Sequence, residues 1–211
     1  MTGTAWADSV PITNASFEMT GAPLSIACGP GCAYNYTSPV GWHVGGANGG
    51  SFSPGSFFSY VPDGSLVAYT NSGSISQTLT SSVLANTLYT LTVFVGNRTD
   101  TINGGFTLYL DTILNGVKTP LCSVSGNAAT ITPGTWQAES CTYQSGANVP
   151  AGDFFLDFVS TGSQLDVDNA SLVDSTAAVP EPGSLLMLGL GMILVMGAAR
   201  WSKREEFRFT A

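Results

Sequence analysis

The sequence predicts an all-β domain, built as an antiparallel β-sandwich and followed by one C-terminal apolar helix. Short runs in which apolar and polar residues alternate recur from Val10 to Val173, with turn residues between them. Alternation with a period of two is typical of strands that bury one face. No amphipathic helix pattern precedes the apolar segment. About ten short strands separated by Gly, Asn and Pro predict two packed sheets.

Two runs show the alternation most clearly. Every second residue in them is apolar, which predicts half-buried strands. These runs are Leu88–Val95, with Tyr89, Leu91, Val93 and Val95 on one face, and Gly105–Asp111, with Phe106, Leu108 and Leu110 on one face. Further strands are predicted at Val10–Phe17, Gly41–Val44, Ser65–Thr70, Ser74–Leu79, Val117–Val124, Thr135–Tyr143, Asp153–Val159 and Gln164–Val173. The Gly/Ser-rich stretch Gly45–Gly55 is predicted to be a mobile surface loop.

About 170 residues precede the apolar tail, a length that favours a single domain. We place the sandwich at residues 8–174, a linker at 175–182, the apolar helix at 183–199 and a basic tail at 200–211. Ala5-Trp6-Ala7 matches the small-x-small pattern of a signal-peptidase site, although no apolar segment precedes it. We therefore expect translation to start further upstream.

The chain is acidic outside its tail. Only 9% of its residues are charged. Before Gly183 the basic residues are Arg98 and Lys118, against twelve carboxylates, which gives a net charge of about −10. Phosphate binding needs clustered Lys and Arg, so this composition excludes a nucleic-acid partner. An acidic exterior fits a secreted, soluble module and also fits cation binding.

Four cysteines support export, since disulfides persist in an oxidising compartment. Cys28 and Cys32 flank a Gly-Pro-Gly turn, and Cys122 and Cys141 lie in two predicted strands. Pairing of Cys28 with Cys32 and of Cys122 with Cys141 is the simplest of three connectivities. A zinc site is disfavoured because His43 is the only histidine.

The C-terminal segment has three parts in a fixed order. Pro180–Pro182 comes first, then 17 uncharged residues from Gly183 to Ala199, and then the basic cluster Arg200–Arg204. As a helix, the apolar part spans roughly 25 Å, just enough to cross a bilayer. The basic cluster predicts a cytoplasmic C-terminus by the positive-inside rule.

This layout resembles the PEP-CTERM sorting signal of Gram-negative bacteria. Carried over residue by residue, the resemblance assigns Pro180, Glu181 and Pro182 as the sorting motif. It implies an exosortase as partner, export through the inner membrane, a C-terminal membrane anchor, and delivery to the cell surface or extracellular matrix. An ordinary single-pass anchor is the alternative. The same tail is also known as an ice-binding protein C-terminal domain, but Val10–Val173 contains no regular Thr-x-Thr array that would indicate ice binding.

A series of motifs extends over the domain, from Asn14–Glu18 at its start to Asp166–Leu172 at its end. Those between them are Val40-Gly41-Trp42, Pro62-Asp63-Gly64 with Val67–Tyr69, Ile75–Leu79 and Ala85–Leu91. Their order resembles that of the jelly-roll, galactose-binding-like fold of carbohydrate-binding modules of the CBM4/9 kind. The resemblance implies a jelly-roll sandwich over Val10–Val173 and a polysaccharide partner.

Two carboxylates, Glu18 in the opening strand and Asp168 in the closing one, are candidate metal ligands. If Ala170 and Leu172 face the core, period two points Asp166 and Asp168 inward as well. Inward carboxylates without a basic partner need a cation or hydrogen bonds. The resembled family holds a structural calcium between matching Glu and Asp positions, which implies Ca²⁺ at Glu18 and Asp168. The alternatives are that both lie in water or that a bulge turns Asp168 outward.

Aromatic side chains are candidate ligand contacts, since sugar rings stack on exposed Trp and Tyr. Tyr34 and Tyr36 lie on a predicted loop. Trp42 and Trp136 lie in strand contexts, where an aromatic usually belongs to the core. All four are candidates for ligand binding.

Catalysis has little support from the residues. The chain has one histidine and no Gly-x-Ser-x-Gly elbow before a helix. The carboxylate pairs Asp153/Asp157 and Asp166/Asp168 could serve a glycosidase. The sequence favours a non-enzymatic, exported module associated with carbohydrate or exopolysaccharide. The alternatives are a structural or adhesive matrix component without specific sugar binding, and a glycan-active enzyme.

Overall fold

The computed structural model describes residues 7–46, 48–101 and 103–176. They belong to one compact unit, Trp6–Thr176, and the second unit, Met1–Ala5 with Ala177–Ala211, lies outside the described residues. The sorting motif and the apolar helix predicted at 183–199 therefore lie outside them too. Within the described ranges, no helix is long and apolar enough to span a membrane.

Thirteen strands and two short 3₁₀ helices make up the described part of the domain. The strands are β1 (Ala7–Val10), β2 (Ile26–Gly29), β3 (Cys32–Tyr34), β4 (His43–Gly45), β5 (Asn48–Pro54), β6 (Val67–Asn71), β7 (Ser74–Ser82), β8 (Thr87–Asn97), β9 (Gly105–Leu114), β10 (Val117–Asn127), β11 (Thr135–Gln144), β12 (Asp153–Ser160) and β13 (Leu165–Thr176). The 3₁₀ helices are Gly55–Phe57 and Ala128–Thr130.

The strands form two antiparallel sheets, as the alternating pattern predicts. The first has eight strands in the order β11-β8-β13-β6-β5-β3-β2, and β1 pairs with the far end of β13. The second has five strands in the order β10-β9-β12-β7-β4. The prediction of an all-β sandwich is confirmed.

The eight-stranded sheet buries apolar side chains on both of its faces. The main core lies between the sheets, and its largest members are Phe17, Trp42, Tyr89, Phe106, Phe154 and Phe158. A second cluster, called here the outer layer, contains Cys32, Phe52, Phe58, Val67, Tyr69 and Trp136. Neighbouring residues of β6 belong to different clusters, Ala68 to the core and Tyr69 to the outer layer, so the outer layer covers the other face.

A bulge in β13 changes which residues face the core. The pairing of β13 with β8 shifts register between Asp168 and Ser171, and Asn169 has a φ of 46°. Leu165 and Val167 belong to the core before the bulge, and Ala170 and Leu172 after it. The expectation that Asp166 and Asp168 point toward the same core as Ala170 is therefore wrong, because the extra residue reverses the alternation.

The Gly/Ser-rich stretch Gly45–Gly55 was expected to be a mobile loop, and this expectation is wrong. It contains β5, whose residues are mostly buried. A Cβ at Gly50 would lie 2.5 Å from the carbonyl oxygen of Asn35, and one at Gly49 would contact Val44. Glycine allows β5 to pack this closely against its neighbours. The strand predicted at Val10–Phe17 is also too long, since β1 ends at Val10.

Both predicted disulfides are present, Cys28–Cys32 and Cys122–Cys141. The second joins β10 to β11, which are edge strands of different sheets. Its Cα atoms lie 5.9 Å apart, so it connects the two layers of the sandwich along one side.

We expect the double variant Cys122→Ser/Cys141→Ser to lose about 3 kcal/mol in its free energy of unfolding. The double variant Cys28→Ser/Cys32→Ser should lose less, because its bridge closes a shorter loop. The sequence separations are 19 and 4 residues. Urea unfolding of both double variants measures the difference. Equal losses would contradict this explanation by loop length.

Candidate functional site

A cavity of about 240 Å³ opens on the face of the eight-stranded sheet that carries the outer layer. We call it the tyrosine pocket. Its lining residues are Cys28, Tyr34, Tyr36, Phe52, Tyr69, Asn71, Arg98 and Gln164. The strands β3, β5 and β6 are neighbours in the sheet, so their outward side chains reach one place.

Three tyrosines form the aromatic wall. The ring of Tyr34 meets Tyr36 edge to face at 5.3 Å and Tyr69 at 6.2 Å between centroids. The hydroxyl oxygens of Tyr34 and Tyr36 are 3.3 Å apart. This hydrogen bond is the main cause that raises the pKa of Tyr34, and burial raises the pKa of Tyr69. Tyr34 and Tyr69 therefore present neutral hydroxyls. The side chain of Tyr36 is 56% exposed.

Asn35 holds the segment that carries two of these tyrosines. Its Oδ1 accepts hydrogen bonds from the backbone N–H groups of Thr37 and Ser51, each at 3.1 Å, and its Nδ2 donates to the carbonyl of Ala22. The hydroxyl of Tyr69 donates to the backbone carbonyl of Asn35 at 2.9 Å. A buried amide thus ties the loop to the sheet.

Arg98 supplies the positive charge of the pocket. Its Nε and Nη2 donate to the two carboxylate oxygens of Asp100 at 2.9 and 2.7 Å. Its guanidinium carbon lies 4.4 Å from the ring centroid of Phe57 and 5.5 Å from that of Phe52. The charge is thus paired with Asp100 and packed on aromatic faces.

A buried acid fixes the polar floor of the pocket. Asp166 is fully buried, and its two oxygens accept hydrogen bonds from Nδ2 of Asn103 at 2.8 Å and from Nε2 of Gln164 at 2.7 Å. Burial raises the pKa of Asp166 to about 6. Since Nε2 of Gln164 is engaged, its Oε1 faces Arg98, at 3.5 Å from Nη1.

The sequence profile of the HpiC1-like family, described as HpiC1 cyclase, matches residues 8–173. The chain belongs to this family. A second profile, the PEP-CTERM protein-sorting motif, matches residues 178–204. The chain therefore carries a PEP-CTERM sorting signal, which implies export.

Two solved structures are similar to the HpiC1-like domain. One is the tandem CBM22-1–CBM22-2 domain of Paenibacillus barcinonensis Xyn10C, with 14% identity, a TM-score of 0.53, and coverage of 87% of this chain and 49% of that one. The other is the CBM22-1 xylan-binding domain of the same protein, with 14% identity, a TM-score of 0.50, and coverage of 84% and 98%. At this identity the likeness shows a shared fold. No curated protein matches the chain.

The two predicted metal ligands lie at one turn of the HpiC1-like domain. Oε1 of Glu18 accepts hydrogen bonds from the backbone N–H groups of Ser65 and Leu66 at 2.8 and 2.7 Å. Oδ2 of Asp168 accepts one from the N–H of Asp63 at 2.9 Å. Burial, together with the charges of Asp63 and Glu18, raises the pKa of Asp168 to about 7, although backbone hydrogen bonds oppose this.

Calcium at this turn stays a prediction. The turn brings carboxylates close together, and burial first, then the charges of Asp63 and Glu18, raise the pKa of Asp168. Calcium takes backbone carbonyls as well as carboxylates. Among the described residues, no group of three or more His, Cys, Asp or Glu side chains is placed to hold a metal ion. Glu18 and Asp168 are the side chains that would hold calcium here.

The four predicted aromatic contacts divide into two pairs. Tyr34 and Tyr36 line the tyrosine pocket. Trp42 lies in the main core, 4.8 Å from Phe17 between ring centroids, and its Nε1 donates to the carbonyl of Asn14. Trp136 is buried in the outer layer and stacks on Phe58 at 4.3 Å. Neither tryptophan lies in the pocket lining.

The members of the predicted carboxylate pairs have different partners. Asp153 accepts from the hydroxyl of Ser82, while Asp157 pairs with Lys118 at 2.7 Å. Asp166 and Asp168 have separate hydrogen-bond partners, at the pocket floor and at the turn where Glu18 also accepts hydrogen bonds. Sequence reasoning missed Arg98, although its rarity as one of two basic residues before the tail was a signal.

We expect Asn35→Ala to lower the free energy of unfolding by about 3 kcal/mol, because it leaves buried backbone groups without their partners. The tyrosine pocket should lose its order at the same time. Urea unfolding and hydrogen exchange of residues 34–37 measure both effects. Asn148→Ala, at an exposed position, is the matched control. Unchanged stability in Asn35→Ala would contradict the anchoring role.

Proposed function

We propose that this protein is an exported, non-catalytic module that binds a saccharide in the tyrosine pocket. The observation that carries the proposal is the half-buried Tyr34 and the exposed Tyr36, next to the polar side chains of Asn71, Arg98 and Gln164. A sugar offers an apolar ring face to an aromatic side chain and hydroxyls to such polar groups. One similar structure is described as xylan-binding, and we extend only the class, a polysaccharide, to this chain.

The charges favour a neutral ligand. Asp100 pairs with Arg98 through both carboxylate oxygens, so the pocket offers no free cation to a uronic acid. The carboxylates before the tail add a repulsive field for anions. A neutral, hydroxyl-rich polysaccharide, such as the exopolysaccharide of the host, fits these conditions.

The description of the family names a cyclase, which requires chemistry on the bound molecule. Asp166 is one acid next to the pocket, since Gln164 lines the pocket and donates to it. It is fully buried and both of its oxygens accept hydrogen bonds from amides. This shielding supports binding without catalysis, because a general acid must reach the ligand within hydrogen-bond distance.

The C-terminal tail is the part of the chain that directs its delivery. We propose that Gly183–Ala199 anchors the exported protein in the inner membrane of a Gram-negative cell, that an exosortase processes the chain at Pro180–Pro182, and that the domain then reaches the cell surface or matrix. The apolar length and the basic residues after it support this reading. The PEP-CTERM match at residues 178–204 supports the partner.

We expect a glycan array to detect binding of a neutral polysaccharide, and Tyr36→Ala to weaken it about tenfold through the lost ring contact. Tyr60→Ala is the matched control, since Tyr60 is similarly exposed but absent from the pocket lining. Binding to no polysaccharide would favour the structural matrix component. Release of reducing sugar that disappears in Asp166→Asn would favour the glycan-active enzyme.

We also infer that Ca²⁺ binds at Glu18 and Asp168. A cation that binds only the folded state at a hundredfold excess over its Kd adds about 2.7 kcal/mol. Chelation by EDTA should therefore lower the Tm, and Asp168→Asn should abolish this calcium-dependent part of the Tm. Asp153→Asn, at an exposed position, should keep it. A Tm of the wild-type protein that does not respond to EDTA would refute the site.

Replacing Pro180–Pro182 with alanines should abolish cleavage in a host with an exosortase but leave membrane insertion intact, because the apolar segment and its charges are unchanged. Full-length protein should then accumulate in the membrane, which immunoblots of cell fractions measure. Processing at the wild-type rate would mean that the tail is an ordinary anchor.

A further inference from the structure

One end of the sandwich exposes a group of large apolar side chains. It holds five of the nine exposed large hydrophobic residues that the described ranges contain. These are Leu84, Leu88, Leu114, Val117 and Val149, which we call the apolar tip. Val117 is the most exposed of them, at 69%. A cluster of this kind on a surface otherwise rich in small polar residues marks an interaction site.

The members of the apolar tip are connected through the loop of residues 145–152. Leu114 and Val117 are opposite each other across the turn between β9 and β10. A Cβ at Gly152 would lie 3.2 Å from Cβ of Leu114, so one end of the loop adjoins this turn. At the other end, the hydroxyl of Ser145 donates to the carbonyl of Leu84 at 2.6 Å. Val149 lies on the loop between these two contacts.

The chain leaves the domain at the same end. Strand β13 finishes at Thr176, whose register partner is Thr87, the neighbour of Leu88. Six residues, 177–182, separate Thr176 from the uncharged segment that begins at Gly183. Such a linker extends at most about 20 Å.

We propose that the apolar tip rests on the surface of the lipid bilayer into which the tail is inserted. This proposal rests on the membrane anchoring proposed above. The linker holds Thr176, at the same end of the domain as the tip, within about 20 Å of the start of the uncharged segment. This tether raises the effective concentration of the tip at the lipid surface, so that weak partitioning is sufficient. Aliphatic side chains on turns can enter the boundary between head groups and acyl chains, where their burial is favourable.

The charges at this end indicate which lipid surface suits it. Asp8, Asp153 and Asp174 lie on the strand ends that border the tip. Lys118 follows Val117, but its Nζ is paired with Asp157 at 2.7 Å. The tip therefore offers no basic attraction to anionic lipids, and zwitterionic phosphatidylcholine is the matching surface.

The test uses the full-length chain reconstituted in phosphatidylcholine vesicles that contain a nitroxide-labelled lipid. A fluorophore is attached to Val117→Cys or, as the matched control, to Val40→Cys, which is also exposed but lies outside the tip. We expect the lipid to quench the label at position 117 several-fold more than the label at position 40. Adding Leu84→Ser and Leu114→Ser to the Val117→Cys chain should reduce this quenching.

Flotation of the vesicles distinguishes failure of the lipid contact from failure of the membrane anchor. A chain that floats with the vesicles, but is quenched equally at positions 117 and 40, overturns the lipid contact and leaves the anchor intact. Quenching at position 117 that does not respond to the two serine substitutions overturns the role of the tip. A chain that does not float refutes the membrane anchor, and the lipid contact with it.

Discussion

The extra residue in β13 is the feature on which most of this structure depends. The register shift between Asp168 and Ser171 lets one strand place Leu165 and Val167, and then Ala170 and Leu172, in the same core. Before the shift, the alternate positions carry carboxylates toward the other face of the sheet. A regular strand would have to bury these acids in the apolar core or lose half of its core contacts. The bulge therefore makes an acidic strand compatible with the middle of the sheet.

Once the acids face the outer layer, they need partners there, and the partners define the two polar sites. Asp166 engages Asn103 and Gln164, which turns the oxygen of Gln164 toward Arg98 and completes the polar side of the tyrosine pocket. Asp168 engages backbone donors at the turn where Glu18 also binds. Each arrangement satisfies carboxylates by hydrogen bonds rather than by salt bridges. Satisfied polar groups of this kind fix a single geometry, which a binding site requires.

The sequence predicts the long strands well and the pocket only in part. In a run such as Leu88–Val95, apolar and polar residues alternate over eight positions, so the period and the buried face are clear. The observed strand β8 is longer than this run by one residue at its start and two at its end. The sequence does not predict strand β5. Its glycines allow the backbone to pack closely against its neighbours, and they carry no side chains that would show an alternating pattern. The bulge at Asn169 also has no simple signal, and it reverses the faces of two acids. Tyr36 is predictable as a loop aromatic, whereas Tyr34 belongs to β3 and not to the predicted loop. The place of Arg98 depends on contacts between distant residues.

Strand β13 also connects the pocket to the tail along the chain. It begins beside the pocket floor and ends at Thr176, the last described residue before the tail. Asp166 lies at one end of the strand and Thr176 at the other. Under the proposed anchoring, a pull on a molecule held in the pocket would travel along this strand toward the tail. Its hydrogen bonds to β8, β6 and β1 are perpendicular to that direction, so they would be loaded in shear and would have to break together. The domain would then carry the load through a strand that is paired on both sides.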